Sequence, residues 1–325
     1  MRALVHDTFG DPSDVLHLAD VETPEPGPGQ VRVRTLLSPI HNHDLWTIRG
    51  TYGYKPELPA RSGTEALGVV DAVGEGVTTL LPGQRVVTGG TFGVWAEYFV
   101  APAAALIPVP DGIADEAAAQ LVSMPFSALS LLEYLAVEPG QWIVQNTANG
   151  AVGRLVAQLA EARGVHVLGL VRRAEGVAEL AAAGIESVVA TDREGWRERA
   201  LEITDGAPIV AGVDSVGGAA SGDVLSLLAE NGTLVVFGAM ASPTMELSSG
   251  DIIFRQIAVK GFWGSKVSAA MEPARRAALI GEIITRVAEG SLSLPVSAVH
   301  AFDDAASAAR ENFTPGRIGK VLLRP

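Results

Sequence analysis

Charged and apolar residues alternate through "QVRVRTLLSPI", with Val31 and Val33 on one side of the repeat and Arg32 and Arg34 on the other. A period of two marks a strand with one buried face. Pro26-Gly27-Pro28-Gly29 supplies the turn before it. "LGVVDAVGEGV" and "PGQRVVTGG" keep the same habit, short Val-rich strands set off by Gly and Pro. Several such strands at close spacing predict a small barrel in the first third of the chain.

The pattern changes after Asp111. "DEAAAQLVSM" opens with carboxylates and continues with helix formers, which predicts a helix start. From Gln141 onward strands and helices alternate. The strands fall at 142–145, 165–171, 187–189, 209–214, 232–238 and 257–262, with helices at 150–162 and 174–183 among those between. Alternation of this kind predicts βαβ units and a doubly wound parallel sheet. Beyond about Lys266 the chain is helical again and ends in "GRIGKVLLRP", a strand-like tail expected to return to the first domain. The domains expected are residues 1–115 plus 266–325, and residues 116–265.

Bulk properties narrow the function classes. The 325 residues are 48% hydrophobic and 19% charged, which describes a well-packed globular chain. A net charge of -13 repels phosphate backbones, so neither a nucleic-acid surface nor an anionic membrane surface is expected. With no cysteine, disulfides, thiolate nucleophiles and Cys-ligated metals are excluded. "MRALVHDTFG" has no basic segment followed by an apolar one, and the apolar run 117–137 is broken by Gln120, Pro125 and Glu133. A buried helix at a domain junction and a cytoplasmic location are expected.

The most informative passage is "WIVQNTANGAVGRLVAQLAEARGVHVLGLVRR". An apolar strand runs into Asn149-Gly150-Ala151-Val152-Gly153, and a helix with Val152, Leu155, Val156 and Leu159 on one face follows. Against G-x-G-x-x-G, Ala148 replaces the first glycine. Gly150 remains to let backbone approach a pyrophosphate, and Gly153 to let helix and strand pack closely. The helix N-terminus offers amide N–H groups to the phosphates. At the end of the next strand an NAD enzyme carries Asp or Glu to bind the ribose diol. This chain has Val171 and then Arg172-Arg173, cations suited to a 2′-phosphate. One Arg–phosphate contact is worth roughly 1.5–3 kcal/mol, enough to prefer NADPH by about ten-fold.

"VGEGVTTLLPGQRV", "ANGAVG", "VDSVGG" and "GKVLL" together resemble the zinc-independent medium-chain dehydrogenase/reductase superfamily across essentially the whole chain. "RGTYGYKPELPA", "QNTANGAVG", "LVRR" and "GFWGSK" are most similar to the 2-enoyl thioester reductases, while "GTEALG" resembles the NADPH:quinone oxidoreductases. The resemblance implies an α/β protein with an N-terminal GroES-like β-barrel catalytic domain plus a doubly wound Rossmann domain. In zinc-dependent relatives a Cys near "HNHDL" and a His in Gly-His-Glu hold the metal; here those places read His41 and Thr64. His41 and His43 make two imidazoles without a third ligand, so no metal is expected. Glu65 and Asp44 read as structural.

The chemistry implied by the resemblance is reduction of an activated carbon–carbon double bond by NADPH. The substrate is most like a trans-2-enoyl thioester on CoA or ACP. Alternatives are a quinone or general enone, and a non-catalytic NADPH-binding protein. Tyr52 is the implied catalytic residue, with Tyr54 competing; a neutral phenol can donate to an enolate oxygen or relay a proton. Ser127 matches a hydroxyl facing the nicotinamide, while Met124 stands where the family has Asn. Gly238-Ala239-Met240 end a strand at the carboxyl edge of the sheet, the ligand side. Phe262 and Trp263 line the acyl pocket or cover the cofactor, or else pack as core aromatics at a domain seam. Lys320 matches a basic residue near the cofactor. A homodimer is expected, with the 257–262 strand pairing across a two-fold axis. No G-x-S-x-G elbow is present, so nothing signals a hydrolase nucleophile.

Overall fold

The computed structural model describes residues 1–325 and divides into two compact units, Met1–Ser123 with Ile280–Pro325, and Met124–Leu279. The crossings fall later than the sequence predicts, and local hydrogen bonds explain why. Gln120 Nε2 donates to the Leu294 carbonyl, and the amides of Val122 and Ser123 donate to Glu65. All are groups of the first unit, so the chain stays there past residue 115. On the return, Arg275 pairs with Glu133, which holds the start of the Pro273–Ala288 helix in the second unit.

In the first unit a seven-stranded sheet is organised around one long strand, Gln30–Pro39. Val31, Val33, Thr35 and Leu37 are buried along it, as the period of two requires. One edge is divided: its start pairs with Tyr98–Pro102 and its end with Lys320–Arg324. The other edge pairs with Glu65–Val73. The C-terminal tail therefore completes the sheet of the first unit. The core between the sheet faces includes Leu4, Val70, Val86, Trp95, Phe99 and Phe302.

The second unit holds a six-stranded sheet in the order Val188–Ala190, His166–Val171, Trp142–Gln145, Ile209–Asp214, Thr233–Val236, Ala258–Gly261. All neighbouring pairs are parallel, so the predicted doubly wound sheet forms. Strand order reverses on either side of Trp142–Gln145, the topological switch point at which such sheets bind ligands. The Ala151–Glu161 helix buries Gly153, Leu155, Val156 and Leu159, and leaves Val152 half-buried. The apolar run at 117–137 forms two helices, Asp115–Ala118 and Ser123–Leu135, the second largely buried. No helix is long and apolar enough to cross a membrane.

Candidate active site

Two sets of functional side chains emerge, one in each unit. In the second, the dinucleotide-type loop leaves the central strand between Gln145 and the helix at Ala151. A Cβ on Gly153 would lie 2.5 Å from the Thr147 carbonyl oxygen and 2.8 Å from that of Ala148, so only glycine permits this helix–strand approach. One on Gly150 would meet the Thr147 oxygen at 3.1 Å. The tight bend puts Thr147 itself at φ 51°, a rare conformation for a β-branched residue and a mark of a constrained loop. Arg154 N makes the bond to Gly150 O, so the amides of Ala151, Val152 and Gly153 stand ahead of the helical ladder, available to an anion.

Ala148 in the first glycine's place is buried, and its amide donates to Leu170 O on the neighbouring strand. That strand ends at Val171. Arg172 and Arg173 are both exposed beyond it; Arg173 lies 3.9 Å from Glu175, and Arg172 forms no ion pair. Glycines that a Cβ would obstruct, free amides and two exposed guanidinium groups, one of them without an ion pair, fit a dinucleotide carrying an extra phosphate.

A buried pair, unforeseen in the sequence, locks the carboxyl edge beside this loop. Asp214 is 0% exposed and accepts from Asn146 Nδ2 at 2.6 Å, Ser221 Oγ at 2.5 Å and Val216 N at 2.9 Å. Asn146 Oδ1 in turn accepts from Ser215 N at 2.8 Å. The ends of two adjacent strands are thereby fixed. Gly238 follows the next strand, its amide donating to Asp214 O, and Ala239 and Met240 are exposed. Ser127, half-buried, has its Oγ 3.7 Å from where a Cβ on Gly264 would stand. The two aromatics after the last strand part company. Phe262 is buried between Phe237 and Tyr134, with centroids at 5.5 and 5.4 Å, whereas Trp263 is 42% exposed with Lys266 over its ring. Packing occupies Phe262; Trp263 retains a free face.

The first unit contains a denser polar cluster at the N-terminus of the Asn42–Arg49 helix. Asp44, fully buried, accepts from its own helix's His41 N at 3.0 Å and from Thr64 Oγ1 at 2.7 Å. His43 Nε2 lies 2.7 Å from that same Thr64 oxygen. His41 Nε2 meets Glu65 Oε2 at 2.6 Å, and Glu65 Oε1 accepts from Val122 N and Ser123 N at 2.7 and 2.9 Å. Lys320, buried as well, donates from Nζ to Ile40 O at 3.0 Å. It belongs to this cluster of the first unit through the Ile40 carbonyl.

Burial dominates the electrostatics here. It pushes the Glu65 carboxyl up to about 7, opposed by the two amides and by Lys320. It pulls Lys320 down to about 8, and it holds His41 well below the usual imidazole range, with the Lys320 charge adding to the effect. His41 Nδ1 is buried and makes no hydrogen bond. The His41–Glu65 bond holds one proton between Nε2 and Oε2. No group of three or more His, Asp or Glu side chains is arranged to hold a metal ion. The imidazoles at the positions considered for metal each face a protein oxygen instead, of Glu65 and of Thr64.

Tyr52 lies just beyond this helix. Gly50 closes the helix at φ 73°, and Thr51 N and Tyr52 N both donate to Trp46 O. That cap turns the half-buried Tyr52 ring back toward the helix start, 5.8 Å from the His43 ring. Tyr54 is exposed and packs on Phe92 at 4.4 Å. Of the two tyrosines, Tyr52 is the one that joins the polar cluster.

Comparison with known proteins supports this division. The alcohol dehydrogenase GroES-like domain matches residues 27–111, and the zinc-binding dehydrogenase family matches residues 151–279. The chain is 32% identical to the human mitochondrial enoyl-[acyl-carrier-protein] reductase over 99% of its own length and 88% of the relative's. Among solved structures, a Pseudomonas syringae quinone oxidoreductase superposes with a TM-score of 0.88 at 30% identity, covering 100% of this chain and 99% of that one. A mycobacterial protein solved in complex with NADPH gives 0.85 at 28% identity, with 100% of both chains covered.

Proposed function

Because the chain is an oxidoreductase of the zinc-independent medium-chain dehydrogenase/reductase superfamily, we propose that it reduces an activated carbon–carbon double bond with NADPH. The favoured substrate is a trans-2-enoyl thioester carried on CoA or ACP. One observation carries the cofactor: Arg172 and Arg173 are exposed, without a strong acidic partner, at the strand end beside the Gly150–Gly153 bend. Relatives named for enoyl-ACP reduction support the thioester.

Bound NADPH supplies the hydride that reaches the β-carbon. The chain's own residues do the rest. The amides of Ala151, Val152 and Gly153 and the helix N-terminus receive pyrophosphate, and Arg172 and Arg173 receive the 2′-phosphate. Asn149 sits at the bend, Ser127 and Met240 with Gly238 and Ala239 would border the nicotinamide end of a bound dinucleotide, and Trp263 would offer it an apolar face. Tyr52 donates its phenolic hydrogen to the carbonyl oxygen, where negative charge develops as the double bond is reduced. Stabilising an enolate in this way needs no Lewis acid, because the acceptor is already activated by its carbonyl.

A quinone or simple enone is the second reading, favoured by the 30%-identical quinone oxidoreductase. The test is NADPH oxidation with crotonyl-CoA, longer enoyl thioesters, enones and quinones. The thioester assignment requires the highest kcat/KM on an enoyl thioester; a clear quinone preference overturns it. We also propose a homodimer through the edge strand Ala258–Gly261, which is exposed along its length beside Phe254, 83% exposed. A sedimentation mass of one chain would exclude it.

A further inference from the structure

His43 engages the protein through only one of its ring nitrogens. The Thr64 hydroxyl has a single hydrogen, which it gives to Asp44 Oδ1 at 2.7 Å. Its oxygen can therefore only accept from His43 Nε2, 2.7 Å away, so Nε2 carries a proton. That leaves Nδ1. It makes no hydrogen bond to the protein, and the ring is 25% exposed and faces Tyr52. Solvent exposure alone would leave an imidazole free to rotate and change tautomer; here Asp44 and Thr64 fix both.

We propose that His43 is the proton donor of this site, with Asp44 and Thr64 as positioning residues that fix its tautomer. The inference rests on the reductase reading above and divides the work within it. Tyr52 stabilises the oxygen, and His43 completes the product. In balanced form, the hydride brings two electrons to the β-carbon and the π pair moves onto the carbonyl oxygen as an enolate. A new C–H bond forms at the α-carbon as the Nδ1–H bond of an imidazolium breaks. Neutral imidazole remains, still protonated at Nε2, and takes its next proton from solvent. One proton is consumed per double bond reduced.

The groups that face the ring come from three sides. From its own helix it faces Asp44, whose Oδ1 is 3.5 Å from Nε2, and the His41 ring, stacked with centroids 5.1 Å apart. Thr64 meets it from the start of the next long strand, Glu65 is held away by His41, and Tyr52 closes the loop side. Lys320, the one cation of the cluster, is fixed on the Ile40 carbonyl. The nearest negative charge is therefore Asp44, relayed through one hydroxyl. His41 is buried, held neutral and bonded to Glu65, so it cannot take the same part.

The test uses the full-length protein and has two arms. In the first, long-range ¹H–¹⁵N correlation on histidine-labelled protein without cofactor should show neutral His43 protonated at Nε2, and Thr64→Val should abolish that preference. In the second, kcat with the best alkene should fall about 100-fold in His43→Gln, while KM and NADPH affinity hold within about two-fold. The limb of the kcat profile that falls as pH rises should vanish in the same variant. Thr64→Val, which keeps the ring and removes its anchor, should cost about ten-fold, and Thr64→Ser should restore the rate. An Nδ1–H tautomer, or a His43→Gln enzyme with unchanged kcat and pH profile, overturns the inference and leaves the reductase reading intact. Failure of the unaltered protein to reduce any activated alkene overturns both.

Discussion

The two functional regions are built on opposite principles. In the first unit, Asp44, Thr64, His41 and Glu65 bond to one another in a buried cluster, and Lys320 beside them is held on the Ile40 carbonyl, all formed before any ligand arrives. In the second, the amides of Ala151 to Gly153 and the guanidinium groups of Arg172 and Arg173 are left to solvent. Only Asn146–Asp214 beneath the loop is internally closed. A site that must hold protons at chosen atoms needs a network that decides where they sit. A site that must bind a diffusing polyanion needs donors that nothing else has taken. The first should fail by losing stability, and the second by losing affinity.

Asp44→Ala is the sharpest way to break the comparison. It leaves Thr64 Oγ1 and His41 N without their acceptor in a buried site and strips Lys320 of a stabilising charge. A loss of about 3–5 kcal/mol in urea unfolding is expected. Arg172→Ala, in the open region, should leave the melting temperature of the ligand-free protein where it was. Equal stability losses in the two variants would erase the distinction.

The next largest effect is on pH dependence. The Glu65 carboxyl rises from 4.5 in the free side chain to about 7 on burial, so the folded state binds its proton where the unfolded chain has released it. Stability from this group is complete below pH 4.5 and is lost as the pH climbs toward about 7, on the order of 3 kcal/mol. Lys320 acts at higher pH. Lowered from 10.5 to about 8, it destabilises while the folded protein must carry its charge, and that cost fades between these values. The cluster is thus least favourable between about pH 7 and 8. Glu65→Gln should remove the lower slope from the unfolding free energy, measured from pH 5 to 8 against the unaltered protein. A parallel decline in both would mean that other carboxylates govern the range.

This contrast also separates what the sequence disclosed from what it withheld. The open region was legible because its parts are adjacent in the chain. Gly150, Gly153 and Arg172-Arg173 fall within one βαβ stretch, and local pattern is enough to place them. The buried strand face at Val31 and Val33 was legible for the same reason. The closed cluster is made by chain segments far apart. Glu65 meets His41 across 24 positions, and Lys320 reaches Ile40 across 280. Glu65 and Asp44 looked merely structural, because burial and mutual distance are properties of the folded chain. Asn146 and Asp214 lie within "QNTANG" and "VDSVGG", yet nothing local links a strand-end Asn to an Asp 68 residues on. The domain limits moved for a related reason, since Gln120 commits itself through the distant Leu294 carbonyl.

Tyr52 tests whether the closed network serves catalysis. Tyr52→Phe removes one hydroxyl from a ring whose position is set by the Gly50 cap and the Trp46 carbonyl, so folding should be unaffected. Turnover on the best alkene should fall about 10- to 100-fold, with NADPH affinity measured by fluorescence quenching unchanged. Unaltered turnover would remove the phenol from the mechanism and leave His43 as the single candidate donor of this face.

The smallest effects should come from the arginines, and they should differ from each other. A surface guanidinium that gains a phosphate at about 1.5–3 kcal/mol gives up whatever partner it held before. Arg172 holds none, whereas Arg173 lies 3.9 Å from Glu175, a distance at which an exposed pair contributes little but still competes. Arg172→Ala should therefore raise the Kd for NADPH by about ten-fold or more and leave NADH nearly untouched; Arg173→Ala should do the same more weakly. Calorimetric titration of both variants with both dinucleotides reads this directly. If the two cofactors lose affinity equally, the guanidinium groups act on the shared pyrophosphate. The bend offers only backbone amides, which cannot distinguish the two, so the assignment of the extra phosphate to these arginines would fall.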